Sequence, residues 1–291
     1  MLDFTLMGQV VLNGLTLSSL YVLMALGFSL IFGVLRIVNF SHGSFYMLGA
    51  FFTYSGTVYL QLPYTVALFL AVAISGALGA VAERLLFRPH VRDEFATLVI
   101  SFGLAIALEV LALLIWGGDP FVMPFPAHGE LHVAGMTLAV DRLVVILVTI
   151  ACVILLQVTM VRFPFGRALR AMAQDPEIAA AYGTRPSFYY PLAFGLSTAL
   201  AGLAGGLVGS LFSVEVSMGE LPLMKAFIVV IVGGLGSLPG AVLAGVLLGM
   251  AESILGTLTG TVSAHIFSFV LVLIMLVFRP AGLVGNQGVG H

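Results

Sequence analysis

The chain has 291 residues, 60% of them hydrophobic and only 8% charged, against about 25% charged in a soluble domain, so no water-facing surface can be built from it. A formal net charge of −2 with 11 basic residues excludes the basic stripe that nucleic acid requires. The single cysteine, Cys152, excludes a disulfide framework and a Cys-based metal site, and its place in an apolar run reads as an inert buried thiol.

Bilayer spans need roughly 20 mostly apolar residues. In chain order, apolar runs fall at 10–35, 43–60, 64–82, 95–116, 143–161, 188–212, 222–235, 240–256 and 263–278. The start, Met1-Leu2-Asp3-Phe4, lacks the basic n-region of a signal peptide, and the run that follows outlasts an h-region, so a retained first span is expected. Backbone groups in hydrocarbon must be paired within their segment, and runs this long and uniformly apolar do so only as helices. The expected fold is all-α, a polytopic transmembrane helix bundle forming a single domain over 1–291, with no residues left for a soluble domain.

Basic residues near span ends stay cytoplasmic. If nine crossings are counted, Arg36, then Arg84, Arg88 and Arg92, then Arg162, Arg167, Arg170 and Arg185, and finally Arg279 share one side, leaving only Arg142 and Lys225 opposite. This predicts the N-terminus outside, the C-terminus cytoplasmic, outer loops at 117–142 and 213–225, and a cytoplasmic loop at 162–187. Within 222–256 the segment Gly233-Gly234-Leu235-Gly236-Ser237-Leu238-Pro239-Gly240 interrupts the apolar run. Reading it as one span gives eight crossings and sends Arg279 outside, so charge placement favours nine. A helix broken at membrane depth is tolerated only inside protein or beside a water-filled cavity. Small residues at helical spacing, Gly202/Gly206, Gly205/Gly209 and Ala241/Gly245/Gly249, read as tight packing within one bundle.

Several polar residues interrupt the apolar pattern. Asn39, Ser41 and His42 fall at the inner end of the first span, where Gly43 permits a break; they either line a path or gate or cap a tight turn. Glu109 and Glu252 lie within apolar runs, where ionisable groups are functional candidates because their desolvation is costly. Glu252 reads as solvated at an outer helix end, whereas Glu109 is deeper and is open to protonation, pairing or a place beside a pathway. His90, His128, His132 and His265 lack metal-ligand spacing, so neither a metal nor another cofactor is expected.

The loop 162–187 carries a short helix of its own. Asp175 suits the N-cap, Pro176 the first helical position and Glu177 the positive helix end, while Gly183 is a natural C-terminal stop. Such a helix either docks into a groove on a cytoplasmic partner or lies passively at the interface. The run Glu177-Ile178-Ala179-Ala180-Ala181-Tyr182-Gly183 is similar to the EAA-xxx-G signature of bacterial ABC importer permeases, with Ile178 replacing an Ala. Three further segments resemble LivH-type branched-chain amino acid permeases: Arg36 to Gly43 with Phe45 to Gly49, Gly166 to Ala171, and Lys225-Ala226-Phe227 followed by Gly233 to Gly240. The resemblance covers the chain almost end to end. It implies alternating access in the bacterial inner membrane, a second permease as heterodimer partner, two cytoplasmic ABC ATPases and a periplasmic substrate-binding protein. It also implies that the Asp175–Gly183 helix, with Glu177, Ala179 and Ala180, takes the ATPase motion. Asn39, Ser41, His42, Glu109, Gly236 and Gly240 are the candidates for a translocation path or gate.

The chain itself carries no ATP site, because a P-loop needs a Lys directly after its last Gly and the only lysine, Lys225, follows Met224. No catalytic residue is assigned: Gly-x-Ser-x-Gly, His-Glu-x-x-His and paired aspartates are missing from the spans. An ion-driven secondary transporter is the competing class, needing no capped inner helix. Urea or short amides compete with amino acids as substrate, since no residue reads as an amino-acid clamp.

Overall fold

The computed structural model describes residues 4–124, 129–133, 136–279 and 281–284. Among them, eight helices have the length and apolarity to cross a membrane. These are α1 (Phe4–Leu35), α3 (Tyr64–Ala82), α4 (Glu94–Trp116), α5 (Val140–Arg162), α8 (Pro186–Val208), α9 (Glu220–Gly233), α10 (Leu238–Thr259) and α11 (Thr261–Phe278). α3 continues through a π turn at Glu83–Phe87 and a 3-10 turn at Arg88–His90, and a 3-10 turn at Val216–Gly219 leads into α9. The expected all-α bundle is what the chain forms.

The run at 43–60 forms a helix of another kind. α2 (His42–Tyr54), prolonged by a π turn at Ser55–Tyr59, is buried along nearly its whole length. Its His, Ser, Tyr and Thr residues make it less apolar than its neighbours, which is tolerable because α3 and α8 shield it. The region 222–256 is divided into two helices rather than one span, while eight helices of crossing length, not nine, are found among the described residues, α2 in the run 43–60 being shorter. After α9, Gly234 and Gly236 take positive φ (105° and 77°), and Ser237 Oγ then caps α10 by accepting from Gly240 N at 3.1 Å.

Helix positions follow from which faces are small. In the most apolar window of α1, 78% of residues are buried, and in α8 72%, against 11% in α4 and in α11. The first pair is therefore the core of the bundle and the second its periphery, where exposed Phe102, Leu114 and Val277 present the surface a bilayer covers. Close approach at the centre depends on missing side chains: a Cβ on Gly49 of α2 would lie 2.1 Å from the carbonyl oxygen of Gly202 on α8, and one on Gly205 would lie 1.7 Å from that of Tyr46. Gly245 and Gly249 likewise seat α10 on Val22 and Ser18 of α1. The small-residue faces are used inside this bundle, as expected. Cys152 is free and half-buried rather than enclosed.

Two elements went unread in the sequence. Inside the 117–142 loop, β1 (Glu130–Val133) and β2 (Met136–Ala139) pair antiparallel, and Phe121 bridges Val214; His128 lies outside the described residues. The 162–187 loop holds two helices, α6 (Pro164–Gln174) and α7 (Pro176–Ala181), where only the second was expected.

Candidate functional site

The chemistry-bearing residues gather in three places. The first is the 162–187 loop. α6 is amphipathic: Gly166, Leu169 and Met172 are buried, and Arg167 and Arg170 lie outward. A Cβ on Gly166 would meet the backbone of Met160, so the turn out of α5 is tight, and Arg170 Nη1 donates to the carbonyl oxygen of Met160. Asp175 separates the two helices and caps α7, its Oδ1 accepting from Glu177 N at 2.8 Å and Ile178 N at 2.9 Å. Gly183, at φ 88°, turns the chain out as its neighbours return bonds to the last turn, Thr184 N donating to Ala179 O at 3.0 Å. Of this helix only Ala179 faces inward. Glu177, Ala180 and Gly183 are exposed together with two large apolar side chains, Ile178 (58% exposed) and Tyr182 (89%). Glu177 Oε1 accepts from Arg92 at 2.9 Å across to the α3–α4 connection. A capped, two-turn helix with an apolar outer face is geometrically suited to enter a groove.

The second place is the break between α9 and α10. A cavity of about 400 Å³ lies beside it, walled by Gly33 of α1, Gln157 of α5, Arg170 and Gln174 of α6, and Gly236 and Ser237 of the break. Gly236 packs on Gly33, where a Cβ would come within 2.7 Å of the opposing Cα, and Gly240 packs on Gly233. Asn39, Ser41 and His42 are not at this cavity. All three are fully buried in the α1–α2 turn. Asn39 Oδ1 accepts from Ser41 N at 3.1 Å and from Ser41 Oγ at 2.6 Å, and His42 Nε2 contacts Met24 O at 3.2 Å. Capping of the turn is thus the role visible in their bonds, while Asn39 Nδ2 and His42 Nδ1 have no hydrogen-bond partner among the described residues. Glu109 is separate again, half-buried on α4 and accepting from Ser44 Oγ of α2 at 3.3 Å.

The third place was missed. Glu252, expected to be solvated, is buried (4% exposed), and so is Lys225, which was expected in an outer loop. They form an ion pair between α9 and α10. Glu252 also accepts from Tyr21 Oη of α1 and Ser268 Oγ of α11, and Lys225 Nζ donates to Ser268 Oγ at 3.1 Å. His265 Nδ1 stands 3.9 Å from the carboxylate. Four helices thus meet on one carboxylate. The reason is geometric: the Gly-rich break folds α10 back along α9, so residues 27 apart face each other. The available signal was an acidic and a basic residue on either side of that break, each within an apolar run near its outer end.

Comparison with known proteins places this geometry. Residues 10–278 match the family described as branched-chain amino acid transport system permease component. The chain is 29% identical to the high-affinity branched-chain amino acid transport system permease protein BraD of Pseudomonas aeruginosa, covering 97% of this chain and 96% of that protein. It is 30% identical to LivH of Escherichia coli K12, a permease protein of a system with the same description, with the same coverage. The LivM permease protein of Escherichia coli K12 is more distant, at 24% identity over 92% of this chain and 68% of its own length. No solved structure matches.

Proposed function

The chain belongs to the family of branched-chain amino acid transport permease components, and from that premise we propose that it is the membrane-spanning subunit of an ATP-driven ABC importer, moving branched-chain or related amino acids inward by alternating access. It is a multi-pass inner-membrane protein. The observation that carries the importer reading is the exposed helix α7, capped by Asp175, stopped by Gly183 and showing Ile178 and Tyr182 to the outside of the bundle. In this reading α7 couples the subunit to cytoplasmic ATPases, with Asp175, Glu177, Ala179, Ala180 and Gly183 forming or shaping the docking element. Similarity to both LivH and LivM supports a second permease as heterodimer partner. A periplasmic binding protein delivers substrate. Gly236 and Gly240 at the α9–α10 break are the candidate gate, with Asn39, Ser41, His42 and Glu109 bracing the neighbouring α1–α2 turn and α4.

The test separates coupling from folding. Glu177 pairs with Arg92 across exposed surface, where such a pair is worth about 0–1 kcal/mol, so Glu177→Arg should leave the bundle intact. Gly183→Leu places a side chain at positive φ, a cost of roughly 1–2 kcal/mol confined to the loop. Both variants should insert at normal levels and lose ATPase association in a pull-down, together with binding-protein-stimulated hydrolysis and uptake. Retained association and uptake in both would return α7 to a passive interfacial helix and favour an ion-driven carrier.

A further inference from the structure

A second cavity, of about 460 Å³, ends on the buried ion pair. Pockets for small molecules run to about 300–1,000 Å³ and combine apolar walls with a few convergent polar groups. This one has that make-up. Glu252 and Tyr21 lie at its buried end beside His265, Leu20 and Phe212 line its sides, and Arg142 stands at its exposed rim. The rim guanidinium is oriented by Asn13 Oδ1, which accepts from Arg142 Nη1 at 2.7 Å, while the Asp141 carboxylate is turned onto the backbone nitrogen of Arg142 at 2.6 Å. Among the described residues His265 Nδ1 has no hydrogen-bond partner, the Glu252 carboxylate standing 3.9 Å away.

A buried ion pair is poor evidence for stability, since apolar residues of similar volume serve about as well. A pair kept for packing also has no use for a cavity that reaches its carboxylate. We propose that this cavity is a subsite for an α-amino acid zwitterion, whose ammonium group meets Glu252, whose carboxylate is held by Arg142 and whose aliphatic side chain lies against Leu20 and Phe212. Lys225, behind the carboxylate, balances Glu252 while the cavity is empty; an arriving ammonium group supplies a second positive partner on the open side, and the substrate carboxylate brings the compensating negative charge. A neutral amide or urea satisfies neither end, so the site selects for amino acids. This assignment rests on the amino-acid importer reading.

The experiment uses the permease complex purified without its binding protein, so that substrate capture by that protein does not enter. Thr257, exposed on the cavity wall, is replaced by Cys in a Cys152→Ser background and its rate of maleimide labelling is followed. Leucine at about ten times its Kd should slow labelling about tenfold by mass action. Leucinamide, lacking the carboxylate, and 4-methylpentanoate, lacking the ammonium group, should give no protection at the same concentration, and Glu252→Gln and Arg142→Gln should each abolish protection by leucine. Arg142 is exposed, so its variant keeps the test decisive if Glu252→Gln fails to insert. Protection by all three compounds alike, by none, or unchanged in Arg142→Gln overturns the subsite. Leucine uptake by the complete importer is measured in parallel: uptake without protection removes the subsite and leaves the amino-acid reading standing, whereas an importer that carries urea and not leucine removes the reading itself.

Discussion

The Lys225–Glu252 pair makes a quantitative prediction about stability that is independent of transport. Both side chains are 4% exposed, so removing one partner leaves the other charged and buried, a loss of about 3–5 kcal/mol. Lys225→Met leaves Glu252 with two donors, Tyr21 Oη and Ser268 Oγ, which places the cost near the lower end, about 3 kcal/mol. Glu252→Gln leaves Lys225 with Ser268 Oγ, an amide oxygen and the rings of Tyr21 and Phe269 5.8 and 5.9 Å away, for a similar loss of about 3 kcal/mol. In the double variant no charge remains, and the amide still accepts from Tyr21 and Ser268, so the total should be about 1 kcal/mol rather than the additive sum of about 6. Unfolding of the purified protein in mixed micelles, followed by intrinsic fluorescence against denaturing detergent, reads the cycle. Each single variant should shift the unfolding equilibrium by about a hundredfold, and the double by less than about tenfold. Additive losses in the double variant, or a Lys225→Met variant as stable as the parent, would refute the reasoning.

Two further outcomes are expected. With buried α2 and its π turn counted as a crossing beside the eight apolar helices, five spans separate Thr5 from Ser187, so single cysteines there, in a Cys152→Ser background, should report opposite sides of the membrane: an impermeant thiol reagent added outside intact cells should label the first only, and labelling of Ser187→Cys alone would invert the orientation. Gly236→Leu puts a side chain at positive φ with its Cβ 2.7 Å from Gly33 Cα, and Gly240→Leu drives one to 2.1 Å from the oxygen of Gly233; both should abolish uptake, and wild-type uptake at normal protein levels would take the α9–α10 break out of the mechanism.

What could be read from the sequence was what depends on local pattern. Apolar runs gave the helices, and the caps at Asp175 and Gly183 bounded α7 correctly because N-cap acceptors and positive-φ glycines act within a few residues of where they stand. The division at 233–238 followed from Gly and Pro chemistry of the same short range. α6 escaped despite Pro164 at its first position and apolar Phe165, Leu169 and Met172 at helical spacing, because its three interspersed polar residues resembled a solvated loop. The ion pair escaped for a different reason. Whether Glu252 meets water or Lys225 depends on how α10 folds back on α9 and on where Tyr21 and Ser268 arrive from α1 and α11, none of which is a local property. At the α1–α2 turn the sequence favoured capping of a tight turn over path lining, and the bonds of Asn39 to Ser41 hold that turn.

The positions of the three places relate them mechanically. α6 is anchored by Leu169 and Met172 and forms a wall of the cavity beside Gly236 and Ser237, and a single residue, Asp175, joins it to α7. A load applied to α7 would therefore be delivered to α6, and from there to the α9–α10 break, where two positive-φ glycines interrupt the helix ladder and the turn is held by its own bonds and by Leu283 N and Val284 N donating to Val232 O and Gly233 O. At the centre α1, α2, α8 and α10 likewise touch backbone to backbone at Gly49, Gly205 and Gly249, and packed interiors transmit strain rather than absorb it. Beyond the break, α9 and α10 run on to Lys225 and Glu252. A shift at Gly236 changes the relation of the two helices that hold that pair together, so the sites at the two ends of the α9–α10 hairpin are joined by the hairpin itself.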